Sequence, residues 1–177
     1  MILKQNSTKE LMHFFSEVDP YAGVISILSH NRKFEEPLTF CFVKDAMLTV
    51  EIDYTDPRIQ EVIFSFYLEV FDGFQKVNAE IKYETPCLVC PNKNDVERHV
   101  LYWNLDYMRT PFIFVGKDYV DIATELEKEY DEIYRDGKLD IFMSSGILVG
   151  FRLNGLNASD LELVKERLSI NRNHSSR

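Results

Sequence analysis

The run Cys87-Leu88-Val89-Cys90 has the one spacing in this chain that resembles a chemical motif. Two thiolates held two residues apart can bind zinc or exchange disulfides. A structural zinc site takes four ligands, and no second such pair follows, so His99 and Cys41 complete a set only if the fold gathers them. A dithiol redox centre wants its pair opening a helix after the strand of a βαβ unit, and Pro91 opposes that placement. A nucleophilic pair of Cys87 or Cys90 with His99 needs no closeness in sequence. The plainer reading is that a buried cysteine packs as a small hydrophobe, with Pro86 and Pro91 bounding an edge segment. The expectation is therefore no catalytic residue, no metal and no cofactor.

Carboxylates form two further groups. Glu51, Asp53 and Asp56 can converge as oxygen ligands for a divalent cation, since Glu51 and Asp53 fall on one side of a strand. A solvated sheet face looks the same, and it is the favoured reading. The second group comes from residues 118–135, where Tyr119, Ile122, Leu126, Tyr130 and Ile133 recur at helical spacing. On such a helix Asp121, Glu125, Glu129 and Glu132 point outward together. They read either as an ordinary solvated face or as a docking surface for a basic protein. The histidines, His13, His30, His99 and His174, show no i, i+4 pairing, and neither a nucleophile elbow nor a phosphate-cradling glycine loop occurs.

The elements that position these groups follow from pattern. Asp72-Gly73 between two alternating runs predicts a long hairpin over residues 62–84, with Phe64 facing Ile81 and Phe66 facing Ala79. A helical reading of Ile59, Val62, Ile63, Phe66 and Val70 competes, and one helical turn is expected at 57–61. Ser7 or Asn6 caps a first helix with Leu11, Phe14, Phe15 and Val18 inward. Residues 24–28 form a short strand, and 38–43 with 48–54 form a second hairpin. Residues 85–94 are a connection, 99–108 and 112–115 are strands, and Gly137 stops the helix of 118–135. Two more strands, 139–143 and 147–153, flank Ser144-Ser145-Gly146. A last helix starts at Asn157 or Ser159 with Leu161, Val164 and Leu168 inward. The expected class is α+β: a largely antiparallel meander covered by helices, one domain over 1–170 and a flexible tail over 171–177.

Net charge is −9 and the sequence pI about 4.9. That opposes nucleic-acid binding, which relies on clustered Lys and Arg, and suits a basic protein partner. No apolar run is long enough to span a bilayer and no signal-like leader is apparent, so a cytoplasmic protein without membrane contact is expected. Three cysteines in 177 residues fit a reducing compartment. The expected function is a non-enzymatic, acidic protein-binding domain, an immunity or inhibitor protein that neutralises a basic toxin or nuclease. A secretion-chaperone-like binder is the next reading within that class, and two alternatives come from other classes: a small Cys-dependent hydrolase or transferase, and a small-ligand binder on an aromatic concavity of Phe64, Phe66, Tyr83 and Trp103. The order helix, strands, helix, two strands, helix is also similar, in element order alone, to the acidic chaperones of bacterial secretion systems.

Overall fold

The chain is dominated by strands. The computed structural model describes residues 3–19, 21–32, 37–43, 47–53, 55–65, 69–70, 79–89, 100–102, 112–123 and 130–175. In chain order the strands are β1 (Leu3–Thr8), β2 (Phe14–Asp19), β3 (Val24–Ser29), β4 (Pro37–Val43), β5 (Met47–Asp53), β6 (Ile59–Ser65), β7 (Glu69–Val70) and β8 (Glu80–Lys82). They continue with β9 (Thr85–Val89), β10 (Val100–Tyr102), β11 (Phe112–Val115), β12 (Tyr119–Ala123), β13 (Glu132–Asp136), β14 (Leu139–Ser144) and β15 (Ile147–Asn154). One helix, α1 (Ala158–Ser175), closes the described chain.

These strands form two sheets. The six-stranded sheet runs β10-β4-β5-β6-β3-β2. The nine-stranded sheet runs β7-β11-β12-β15-β14-β13-β8, with β1 pairing both β15 and β9. Most pairings are antiparallel, while β10–β4, β11–β7 and β13–β8 are parallel. Strand alternation sends Ile25, Ile27, Val50, Ile52, Val62 and Phe64 of the smaller sheet into one contiguous core. Val120, Ile122, Leu139, Ile141, Phe151 and Leu153 of the larger sheet join the same core. Burying each such side chain contributes about 1.5–3 kcal/mol, which makes this shared layer the main source of stability.

Turn chemistry fixes the ends. Gly137, at φ 61°, closes the β13–β14 turn, and a Cβ there would lie 3.1 Å from the Phe14 backbone nitrogen. Gly150 on β15 lets β12 approach, since a Cβ at this position would sit 2.5 Å from the Ile122 carbonyl oxygen. Asn157 caps α1 as expected: its Oδ1 accepts from the Asp160 backbone N–H at 2.8 Å. Leu161 and Val164 anchor that helix in the core.

Several sequence expectations are met. Strand β3 matches residues 24–28. The β4–β5 hairpin pairs Leu38 with Ile52 and Phe42 with Leu48. The β14–β15 hairpin turns at Ser145-Gly146. The α+β class is corrected to a mostly β architecture, because two of the three expected helices are strands. The first helix is replaced by β1 and β2. Phe14 and Val18 pack toward the core, whereas Phe15 stacks on His30 with ring centroids 4.5 Å apart. The same residues satisfy a helical stripe on paper only because both sides of β2 are partly covered. The helix of 118–135 is replaced by β12 and β13, for the same reason: Val120 and Ile122 face the core, and Asp121 is buried on the opposite side.

The 62–84 hairpin is also overturned. Phe64 pairs with Ile25 on β3 and Leu48 on β5, and Ile81 pairs with Ile133 on β13. β6 is thus a central strand between β5, which precedes it in the chain, and the distant β3, and these pairings outweigh the local turn signal. Asp72-Gly73, Phe66 and the facing residues up to 78 lie outside the described residues. The helical turn at 57–61 is absent, since β6 begins at Ile59, and residues 85–89 of the supposed connection are strand β9. Helix α1 extends to Ser175, into the segment that reads as a tail. Among the described residues no helix is long and apolar enough to cross a membrane.

Candidate functional site

The outer face of the six-stranded sheet carries a group of carboxylates. Because alternate residues of β5 and β6 face the core, Glu51 and Glu61 face away from it, and they stand directly opposite each other in the β5–β6 register. Glu17, exposed on β2, joins them from the sheet edge, two strands from Glu61. Arg32 Nη1 donates to Glu61 Oε2 at 3.0 Å. Burial nevertheless pushes the Glu61 carboxyl above its ordinary value; Arg32 opposes the rise, and the negative charges of Glu51 and Glu17 add to it. Like charges directly opposite on neighbouring strands destabilise a sheet. The Glu51–Glu61 juxtaposition therefore carries a local cost, which the Arg32 pairing to Glu61 offsets in part.

The expected docking residues are distributed differently. Asp121 and Glu132 lie on separate strands, β12 and β13, while Glu125 and Glu129 fall outside the described residues. Asp121 is 6% exposed and makes a two-pronged pair with Arg152, at 2.6 Å to Nε and 2.8 Å to Nη2. Arg152 stands opposite Asp140, which is 1% exposed and is itself held by Arg135 at 2.7 Å through both Nε and Nη2. Asp121, Arg152, Asp140 and Arg135 thus form a ladder of alternating charge in register across β12, β15, β14 and β13. Tyr119 lies under the Arg152 guanidinium at 4.2 Å. Burial raises the Asp121 carboxyl, and Arg152 offsets only part of the rise. Burial also pushes the neighbouring Tyr130 phenol, stacked on Phe142, up to about 12. This buried array ties the four strands together.

Glu132 faces the other way. Lys4 and Lys82 each donate to one of its oxygens at 2.5 Å, and Lys4 also donates to the Tyr134 hydroxyl at 2.6 Å. Burial alone would raise the Glu132 carboxyl, but these ammonium groups outweigh it and hold it at about 2. Asp136, fully buried, accepts from the backbone N–H groups of Met12 at 2.6 Å and His13 at 2.9 Å and from Thr85 Oγ1 at 2.5 Å. It ties the strained entry to β2, where His13 has φ 55°, to the β13 end. Glu84 accepts a hydrogen bond from Ser7.

The remaining candidates do not assemble. Asp53 turns back on its own chain and accepts from the Thr55 backbone N–H at 2.7 Å. Asp56 is buried and grips Arg58, at 2.7 Å to Nε and 2.5 Å to Nη2. Glu51 is therefore grouped with Glu61 and Glu17, not with Asp53 and Asp56. Cys87 sits half-buried on β9 beside Arg58; burial pushes its thiol up, and the guanidinium counters only in part. That makes it a poor thiolate at neutral pH. Cys41 belongs to β4 of the other sheet, and Cys90 and His99 lie outside the described residues. Among the described residues no three His, Cys, Asp or Glu side chains converge as metal ligands. Phe64 is fully buried and Tyr83 is 67% exposed, so they share no concavity, and Phe66 and Trp103 lie outside the described residues. Among the described residues every buried side-chain nitrogen and oxygen has a hydrogen-bond partner.

Glu17 escaped sequence reasoning because its strand reads as a helix, and Glu61 because it falls in the helical turn expected at 57–61, just before the expected strand. For Glu61 the irregularity in the β5–β6 pairing also breaks the two-residue alternation, so that Ile59 faces the core and Glu61 faces away from it. No protein-family model matches this chain, and none of the curated proteins matches it in sequence.

Proposed function

We propose that the chain is a non-enzymatic binding module whose acidic sheet face docks a basic protein, in the specific form of an inhibitor that masks a cationic toxin or nuclease. What carries the reading is the placement of Glu17, Glu51 and Glu61 on one side of the six-stranded sheet, with Arg32 paired to Glu61. The net charge of −9 supports it further, since a complementary field speeds encounter with a cationic surface. The secretion-chaperone analogy loses its basis, because its element order required two helices that are strands.

The test is a comparison of baits. Wild-type chain and a Glu17→Gln/Glu51→Gln/Glu61→Gln variant are used to capture proteins from native lysate of the source cells. The expected result is a basic protein retained by the wild type and lost by the variant, with its activity suppressed on binding. Recovery of the same proteins by both baits would overturn the reading.

A further inference from the structure

The acidic face runs out to an edge. β2 is the terminal strand of the six-stranded sheet and, among the described residues, pairs only with β3. Along such a strand alternate N–H and C=O groups turn outward and can accept another strand. Phe14 and Val18 pack against the core, so Phe15, Glu17 and Asp19 lie on the same side of the sheet as Glu51 and Glu61, whose row in the register ends at Phe15. The adjoining turn is fixed by Asp19, whose Oδ1 accepts from the backbone N–H groups of Tyr21 at 2.8 Å and Ala22 at 2.9 Å. That turn displays Tyr21 at 96% exposure, an aromatic residue of the type that anchors protein contacts.

Resting on the function proposed above, we infer that the partner presents an extended segment that adds to β2 as a further strand, with Lys or Arg at every second position. The spacing follows from strand periodicity. Residues two apart on the incoming strand lie over Glu17 and Asp19 on the outer side, and the intervening residues lie level with Ser16 and Val18. A second copy of this chain is the poorer occupant. It would bring another Glu17 and Asp19, and another net charge of −9, against the first. Main-chain pairing supplies the docking geometry, the alternating cations supply selectivity, and Tyr21 flanks the end of the strand edge.

The probe is a capped peptide, Thr-Lys-Val-Lys-Val-Lys-Thr, titrated into the full chain and followed by amide NMR. Two further peptides carry N-methyl groups on the three Lys amides or on the two Val amides, which removes the donors of one edge at a time and leaves the charge unchanged. The expected result is that the parent peptide binds and protects from exchange the outward-facing alternate amides of β2, either that of Glu17 or those of Ser16 and Val18. One N-methylated form should then lose about tenfold or more in affinity, as expected for two or three lost main-chain hydrogen bonds, while the other retains binding and so reports the strand direction. Equal binding of all three peptides, weakened by Glu17→Gln/Glu61→Gln, would overturn strand addition and leave the acidic face as a purely electrostatic site. Failure of the parent peptide to bind, or binding indifferent to Glu17→Gln/Glu61→Gln, would overturn both this inference and the function on which it rests. Self-association of the chain that the parent peptide does not disrupt would place a second copy at the edge and overturn the inference alone.

Discussion

Removing Arg152 probes the charge ladder most sharply. Its guanidinium holds Asp121 at 2.6 and 2.8 Å, faces Asp140 across β14 and lies 4.2 Å above the Tyr119 ring. In Arg152→Met the Asp121 carboxylate, only 6% exposed, loses the cation that offsets its burial. Breaking one side of a buried ion pair costs about 3–5 kcal/mol. For a chain of this size 1 kcal/mol corresponds to about 2–4 °C, so the melting temperature should fall by roughly 10 °C. Replacing both partners, Asp121→Leu with Arg152→Met, should recover most of the loss, because an apolar pair avoids the uncompensated charge. The pH dependence has a definite sign. Burial raises the folded-state pKa of Asp121 and losing Arg152 raises it further, so the destabilisation of Arg152→Met is complete above that pKa. It should shrink as pH falls toward the ordinary carboxylate range, where the folded state takes up the proton. Urea denaturation at two pH values, on the single and double variants, measures both effects. A loss under about 1 kcal/mol at neutral pH, or a double variant as unstable as the single, would refute the ladder as a stabilising unit.

Asp136→Ala leaves the Met12 and His13 N–H groups and the Thr85 hydroxyl without their acceptor and should cost about 3–5 kcal/mol in urea denaturation. Asp136→Asn should recover only part of this, since its amide presents a donor to groups that are themselves donors. Glu132, with its carboxyl held down at about 2, contributes stability that is present above the ordinary value of 4.5 and lost as pH falls from there toward about 2. The difference in melting temperature between wild type and Glu132→Gln should be full near neutral pH and narrow through that window.

The elements legible from sequence are those whose partners are close in the chain. The β4–β5 and β14–β15 hairpins combine alternation with short turns, and α1 has an asparagine cap and two core residues three apart. Where partners are distant, local pattern misleads. β6 pairs with β5 just before it in the chain and, on its other side, with the distant β3, so the Asp72-Gly73 signal placed Phe64 against the wrong strand. Strands covered on both sides lose the polar–apolar alternation that identifies them. Tyr119, Val120, Asp121 and Ile122 are each partly or fully buried, and their apolar members coincide with a helical stripe. Buried charge was equally hidden. Asp121 and Arg152 are 31 positions apart, and only the β12–β15 register brings them together. The acidic face became visible once β2 and β6 were strands, since Glu17, Glu51 and Glu61 come from three separate elements.

The most direct test of the proposed docking face is the association rate of the captured basic partner, measured by stopped flow at low and moderate ionic strength. Exposed charges steer encounter more than they slow dissociation. The Glu17→Gln/Glu51→Gln/Glu61→Gln variant should associate several-fold more slowly than the wild type at low salt, with a flatter salt dependence and a nearly unchanged dissociation rate. Equal association rates and equal salt dependence, in a triple variant that melts cooperatively, would contradict the assignment of this sheet face as the docking surface.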